Sequence, residues 1–350
     1  MLREMRTLLR SIVALCAVVL LAPAVLAGDD EAKQSKVMRI GMIGLDTSHA
    51  PAFTKLINAE DAKGSLARMK VVAAYPGGSQ DIASSRDRVE GFTQQLREIG
   101  VEIVGSVDEL VGKVDAVLLE SVDGRKHLEQ VLPVFKAGLP VFIDKPLAGD
   151  LTEAIAIDML AKLYDARWFS SSSLRFSPSI IRFREDNNLA GNVRGASSWG
   201  PCSIEPTHTD LYWYGVHAVE TLYTAMGTGC ESVTRIDNGD IVVVGSWADG
   251  RTGTVRGITG GKKDYGLVVF GEKQITVGGK YEGYQPLVER IGDFFVGGQS
   301  PVSPEETLEM FTFMQAADTS RDTGRPAKLS DVYDKHKEAA EERIKLLSGT

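Results

Sequence analysis

The stretch Leu139-Pro140-Val141-Phe142-Ile143-Asp144-Lys145-Pro146 decides how the rest of the sequence is read. Val141, Phe142 and Ile143 form a short apolar run of β-branched and aromatic residues, the composition of a strand buried on both faces. The run stops at Asp144, Lys145 and Pro146. Pro146 ends the ladder and holds Lys145 extended, so the ammonium projects from the strand tip. Ligands of open parallel sheets sit at strand tips. Lys145 is therefore either an acid/base group facing a substrate or a surface charge that closes a strand.

Working outward, strands and helices alternate on both sides of this run. Strands are expected at Met38–Ile43, Met69–Ala74, Val101–Ile103, Val114–Leu119, Val141–Ile143 and Trp168–Ser171. Helices fall at Pro51–Asn58, Arg86–Ile99, Val107–Val111, Lys126–Ala137 and Leu151–Tyr164. Such a succession predicts a doubly wound parallel sheet with its strand-to-helix turns along one edge. Beyond Ser172–Arg175 the pattern changes. Arg194–Ser203, Ile241–Trp247, Thr252–Thr259, Gly266–Phe270 and Gln274–Val277 read as successive strands, flanked by helices at Gly215–Ala225, Pro304–Asp318 and Val332–Leu347. The fold class is α/β: a Rossmann-like domain over residues 37–172, then an α+β domain with a large, mostly antiparallel sheet over 173–350.

Residues 1–27 read as an export signal. Arg3, Arg6 and Arg10 precede an apolar core, Ile12 to Ala22, too short to span comfortably, and Val25 and Ala27 supply small residues before a cleavage point. No arginine pair is present, so a Sec-type route to the periplasm or exterior is expected, with no stable membrane insertion after cleavage. Residues 28–36 read as a polar leader. The chain has 39 basic and 47 acidic side chains, a net charge of −8, and loss of the signal makes it more acidic still. That balance disfavours nucleic acid as a partner. Cys202 and Cys230 remain after cleavage; export permits a disulfide between them, and their spacing fits no metal motif.

Several segments, taken in order, resemble the glucose–fructose oxidoreductase / inositol dehydrogenase (Gfo/Idh/MocA) family. Val141–Pro146 followed by Leu147 looks like that family's Glu-Lys-Pro strand end, with Asp144 in place of Glu. His127 matches a family histidine on the helix after the fourth strand. Arg175-Phe176-Ser177-Pro178 is similar to the segment opening the second domain, and Gly215-Val216-His217 resembles a Gly-x-His on a helix facing the cofactor pocket. The resemblance implies an oxidoreductase acting on a sugar or polyol hydroxyl with NAD or NADP. Lys145 and His217 would assist removal of the hydroxyl proton while hydride leaves the same carbon. It also implies a homo-oligomer associating through the open face of the second sheet. Glu220, three residues after His217, shares its helix face and could orient the imidazole. Arg175, Asp210, Trp213 and Tyr214 are candidate substrate contacts, the aromatic rings being suited to a sugar face.

The cofactor turn departs from the family pattern. A dinucleotide turn needs Gly-x-Gly-x-x-Gly, whereas this chain has Gly44-Leu45-Asp46-Thr47-Ser48-His49. Asp46 stands where a glycine lets the diphosphate approach and His49 at the third glycine; an ionised carboxylate there would oppose a diphosphate by about 1 kcal/mol or more. The second strand ends in Tyr75-Pro76-Gly77-Gly78, without the acid that grips a ribose. The cofactor-facing candidates are Gly44, Asp46, Thr47, Ser48, His49, Glu120, Asp144 and Lys145. No metal site is expected in the redox reading. Asp46, His49, Glu120, Asp144 and Lys145 all follow parallel strands, however, so they should cluster at one sheet edge. This supports an alternative: an NAD-independent lyase, hydrolase or epimerase acting on carbohydrate, with Lys145 or His217 as base and a divalent metal held by such residues as Asp46, His49 and Glu120. The blander possibilities are that Asp46 and Ser48 cap the first helix and that Glu120 pairs with Lys145. A third alternative is a non-catalytic carbohydrate-binding protein.

Overall fold

The structure is a computed structural model that describes residues 37–186 and 189–348; the signal and leader expected at 1–36 lie outside the described residues. Six strands, β1 (Met38–Ile43), β2 (Met69–Tyr75), β3 (Glu102–Ile103), β4 (Ala116–Leu119), β5 (Val141–Ile143) and β6 (Trp168–Ser170), form a sheet of order β3-β2-β1-β4-β5-β6. All five strand pairings in it are parallel. The central strands are buried on both sides, as their unbroken apolar runs require. Period-2 alternation sends Val117, Leu119, Val141 and Ile143 into one core and Leu118 and Phe142 into the other. Each such side chain contributes about 1.5–3 kcal/mol by leaving water.

Around this sheet lie α1 (His49–Ile57), α2 (Ala83–Arg86), α3 (Val89–Glu98), α4 (Val107–Val111), α5 (His127–Lys136) and α6 (Leu151–Leu163). In α1, Ala50, Phe53, Thr54 and Ile57 recur at helical spacing and are buried. The helix stops at Asn58, whose amide donates to the Val71 carbonyl and whose side-chain oxygen accepts from the Val71 N–H. Ser48 makes no side-chain capping bond, and Asp46 points elsewhere, so neither caps this helix.

The remaining helices are α7 (Pro178–Glu185), α8 (Val216–Met226), α9 (Gln285–Phe295), α10 (Pro304–Thr323) and α11 (Leu329–Ser348). The second sheet holds β7 (Val193–Pro201), β8 (Cys230–Asn238), β9 (Asp240–Trp247), β10 (Thr252–Ile258), β11 (Gly266–Gly271), β12 (Ile275–Gly278) and β13 (Ala327–Lys328), in the order β12-β11-β7-β10-β9-β8-β13. One pairing departs from the antiparallel expectation: β7 and β10 run parallel. The chain crosses over through α8 after β7, and the β8–β9–β10 meander brings it back beside β7 in the same direction.

Two elements fix the site. Helix α8 is buried along its whole length and starts from a π-helical turn, Leu211–Gly215. Helix α9 comes from the second half of the sequence but packs on the first sheet: Leu287, Val288, Ile291, Phe294 and Phe295 join the core that holds Phe53 and Phe142. It carries Tyr281 and Tyr284, at its N-terminal approach, over the strand tips. Among the described residues, no helix is long and apolar enough to cross a membrane, and Cys202 and Cys230 are free, buried thiols.

Candidate active site

A cavity of about 360 Å³ opens at the carboxyl edge of the first sheet. Its walls include Lys145 from the β5 tip, His217 from α8, Trp213 and Tyr214 from the π turn, and Thr47, Ser48 and His49 from the β1 turn. Lys145 and His217 thus reach one compartment from a strand tip and from a helix, and both approach the same ring. The Lys145 ammonium lies 5.7 Å from the Tyr214 centroid, and the His217 ring meets Tyr214 edge-on at 5.2 Å. The Lys145–Pro146 bond is cis.

His217 is positioned by a residue that the sequence reading missed. Its Nδ1 and the Ser172 hydroxyl share a 2.6 Å hydrogen bond. Burial, and then the charge of Lys145, hold the imidazole well below its usual pKa, so it is neutral near pH 7. Glu220 does not orient it directly. Its carboxylate accepts from the Ser171 hydroxyl at 2.5 Å, the Ser172 N–H at 2.6 Å and the Arg175 guanidinium at 2.6 Å. Glu220 therefore acts on His217 through Ser172. The shared helix face was legible, but the serine turn after β6 lies far off in sequence.

Two expected substrate contacts are engaged elsewhere. Arg175 is buried between Glu220 and Glu306, the latter at 2.9 Å, which Arg184 also pairs at 2.8 Å. Asp210 forms ion pairs with Arg235 at 2.8 Å and Arg321 at 2.5 Å. Trp213 and Tyr214 do line the cavity, and Tyr265, Tyr281 and Tyr284 join them. Tyr284 was findable. Pro286 at a helix start, followed by apolar residues at 287, 288, 291, 294 and 295, is the mark of an amphipathic helix.

Beside Lys145, three neighbouring strand tips bring together His49, Glu120 and Asp144. His49 Nδ1 donates to Asp144 Oδ2 at 2.7 Å and lies 3.7 Å from Glu120 Oε2. Burial opposes a charge on His49, but the Asp144 charge and hydrogen bond, aided by Glu120, reverse this and raise its pKa to about 10. Burial and the Asp144 charge push the Glu120 carboxyl up to about 7. Glu120 does not pair with Lys145: among the described residues no ion pair joins them, and both Glu120 oxygens lack a hydrogen-bond partner. Asp46, expected within this group, is absent from it.

Asp46 instead lies across the nucleotide edge. Its carboxylate accepts from the Ser85 hydroxyl at 2.5 Å and the Val122 N–H at 3.1 Å, tying the turn after β1 to helix α2 and to the loop after β4. Above it, the Ser79 hydroxyl donates to Asp123 at 2.5 Å, and Arg125 clamps Asp123 and Asp81. A Cβ on Gly44 would meet the Ser121 backbone nitrogen at 2.3 Å, so the close approach made possible there is used by the chain itself. A second hollow, beside Gly77, Gly78 and Gln130, lies beyond this wall. A dinucleotide would have to run between the two hollows, where these residues now bond to one another. The residues present do not fit its diphosphate.

The fold and cavity define an α/β protein in which a Rossmann-like parallel sheet is joined to a second, mixed sheet. Residues 38–170 match the family described as "Oxidoreductase family, NAD-binding Rossmann fold". Residues 38–170 thus carry the Rossmann domain of the Gfo/Idh/MocA family. Among solved structures it is similar to a probable dehydrogenase from Thermotoga maritima (20% identity, TM-score 0.69, 84% of this chain and 100% of that one). It is also similar to scyllo-inositol dehydrogenase from Lactobacillus casei with bound NAD(H) and scyllo-inositol (14%, 0.68, 84% and 100%), and to myo-inositol 2-dehydrogenase from Lactobacillus plantarum (17%, 0.68, 84% and 99%). At such identities the likeness is one of fold. No curated protein matches the sequence significantly.

Proposed function

We propose that the cavity binds a small sugar or polyol derivative and catalyses proton transfer on it without net redox change. One observation carries this: Lys145 and a neutral His217 share one cavity while Asp46 and its partners occupy the diphosphate path. In the reaction, His217 takes a proton from a carbon next to a carbonyl, and the C–H electron pair moves onto the carbonyl oxygen. The Lys145 ammonium faces that developing oxyanion. Return of the proton by His217 restores the substrate, delivery of a proton from solvent to the opposite face gives epimerisation, and loss of a neighbouring substituent with its bonding electrons gives elimination. The tyrosines and Trp213 supply hydroxyls and ring faces for a polyol.

The family match and the inositol-dehydrogenase neighbours support a second reading, oxidation of a polyol hydroxyl with NAD or NADP. It requires the Asp46–Val122, Asp46–Ser85 and Ser79–Asp123 contacts to part. Titration with NADH and NADPH, followed by nicotinamide fluorescence, separates the two. No binding is expected; micromolar binding would overturn the proton-transfer reading and restore the redox one.

Export through the N-terminal signal and self-association remain part of this proposal. On the outer side of the second sheet Ile236, Phe270, Ile275 and Val277 stand 42–67% exposed, an apolar patch suited to a second copy. Light scattering should show a dimer or larger species, and a monomer at micromolar concentration would remove that part.

A further inference from the structure

We infer that His49, Glu120 and Asp144 form a binding site for a first-row divalent cation at the floor of the cavity. Their candidate donor atoms, one nitrogen and two carboxylate oxygens, all lie within 4.8 Å of one another. The sheet order makes this convergence possible. β1, β4 and β5 are neighbours; Glu120 directly follows β4, Asp144 directly follows β5, and His49 opens the helix after β1.

The backbone holds the donors in place. The Glu120 N–H donates to the Ile43 carbonyl at 2.7 Å and the Asp144 N–H to the Leu119 carbonyl at 2.8 Å, so both carboxylates stand on extensions of the ladder. The His49 ring is stacked on Phe53 at 5.2 Å and held edge-on by Tyr284 at 4.8 Å. A donor set fixed by packing loses little freedom when an ion arrives.

A second observation points to a ligand. Glu120 is fully buried, yet neither of its oxygens has a hydrogen-bond partner, and Asp144 Oδ1 also lacks one. Buried carboxylate oxygens are costly unless a cation or donor meets them. Lys145 is the obvious candidate, but its ammonium lies over Tyr214. The imidazole faces Glu120 at 3.7 Å, beyond hydrogen-bond range, because its proton goes to Asp144. A divalent cation that displaces the Nδ1 proton to solvent would bind that nitrogen and meet both carboxylates at once.

The chemical class follows from the donors. One imidazole with two carboxylates suits Mn²⁺, Fe²⁺, Co²⁺ or Zn²⁺ better than all-oxygen Ca²⁺ or a thiolate-seeking ion. Three protein ligands leave open positions, and His49 and Lys145 both border the cavity. An ion there could polarise a substrate carbonyl or hydroxyl. That role rests on the proton-transfer reading above; the binding itself does not.

Binding is measured directly, without turnover. Protein stripped with EDTA and dialysed is titrated with Mn²⁺ by electron paramagnetic resonance and with Zn²⁺ by calorimetry. One equivalent should bind, and Glu120→Gln should weaken it at least about tenfold while the protein still melts cooperatively. His49→Gln, which removes the only nitrogen donor, serves if the first variant fails to fold. With the native protein, Co²⁺ should give a visible absorption band of mixed nitrogen and oxygen ligation. The inference is overturned if stripped protein takes up none of these ions at millimolar concentration, or if both variants bind as tightly as the parent. NAD binding with no ion binding would sink both readings, whereas ion binding with no substrate turnover would sink only the catalytic one.

Discussion

Replacing Lys145 by Ala is expected to lower kcat/KM by about 10²–10⁴-fold, the usual share of a positioned acid/base or oxyanion partner. The measurement is deuterium exchange from solvent into a panel of aldoses, ketoses and keto-polyols, followed by NMR, with native protein and variant side by side. The fold should survive the change. Lys145 makes no ion pair within 4 Å among the described residues, and its ammonium lies over the face of Tyr214. Its thermal midpoint should therefore stay close to the parent's. If the variant exchanges deuterium as fast as the native protein, Lys145 is a surface charge at a strand tip and the catalytic proposal fails. If neither protein exchanges but both bind a sugar equally, the chain is a binding protein.

Arg175→Met should unfold the protein more readily by about 3 kcal/mol, the low end for breaking a buried ion pair. Arg175 is 2% exposed and, among the described residues, is the only cation paired with Glu220, whereas Glu306 keeps Arg184. Burial already pushes the Glu220 carboxyl up despite the guanidinium beside it, and removing that charge leaves only the Ser171 and Ser172 donors. Urea unfolding is the check. A variant with unchanged stability and a raised KM would instead return Arg175 to the substrate-contact role that its sequence position suggests.

That contrast shows what could and could not be read in advance. Periodicity located β1, α4 and β5 to the residue, because unbroken apolar runs and their polar stops are local properties. The strand-tip rule likewise brought Lys145, Glu120 and Asp144 to one edge. It did not place β8, α7 or α9. β8 mixes Glu231, Arg235 and Asp237 into its alternation, since Arg235 is neutralised by Asp210, Asp237 and Asp318 from three parts of the chain. Partnership was the harder matter throughout. Asp46 could be recognised as misplaced for a diphosphate, but its bond to Val122 spans 76 positions. Ser172, which holds His217, carries no motif. His127, taken from the resemblance, lies between the Leu147 and Ser121 carbonyls and braces two loops.

The wall across the nucleotide edge has a bearing on the history of the chain. Placing glycine at position 46 would not by itself open the way, for the Ser85 hydroxyl and the Val122 amide would each lose their acceptor, and Ser79, Asp81, Asp123 and Arg125 would still be laced together above them. Every intermediate would be poorer than its parent before any cofactor could compensate it. Such a change behaves as a ratchet, easily entered and hard to reverse one substitution at a time.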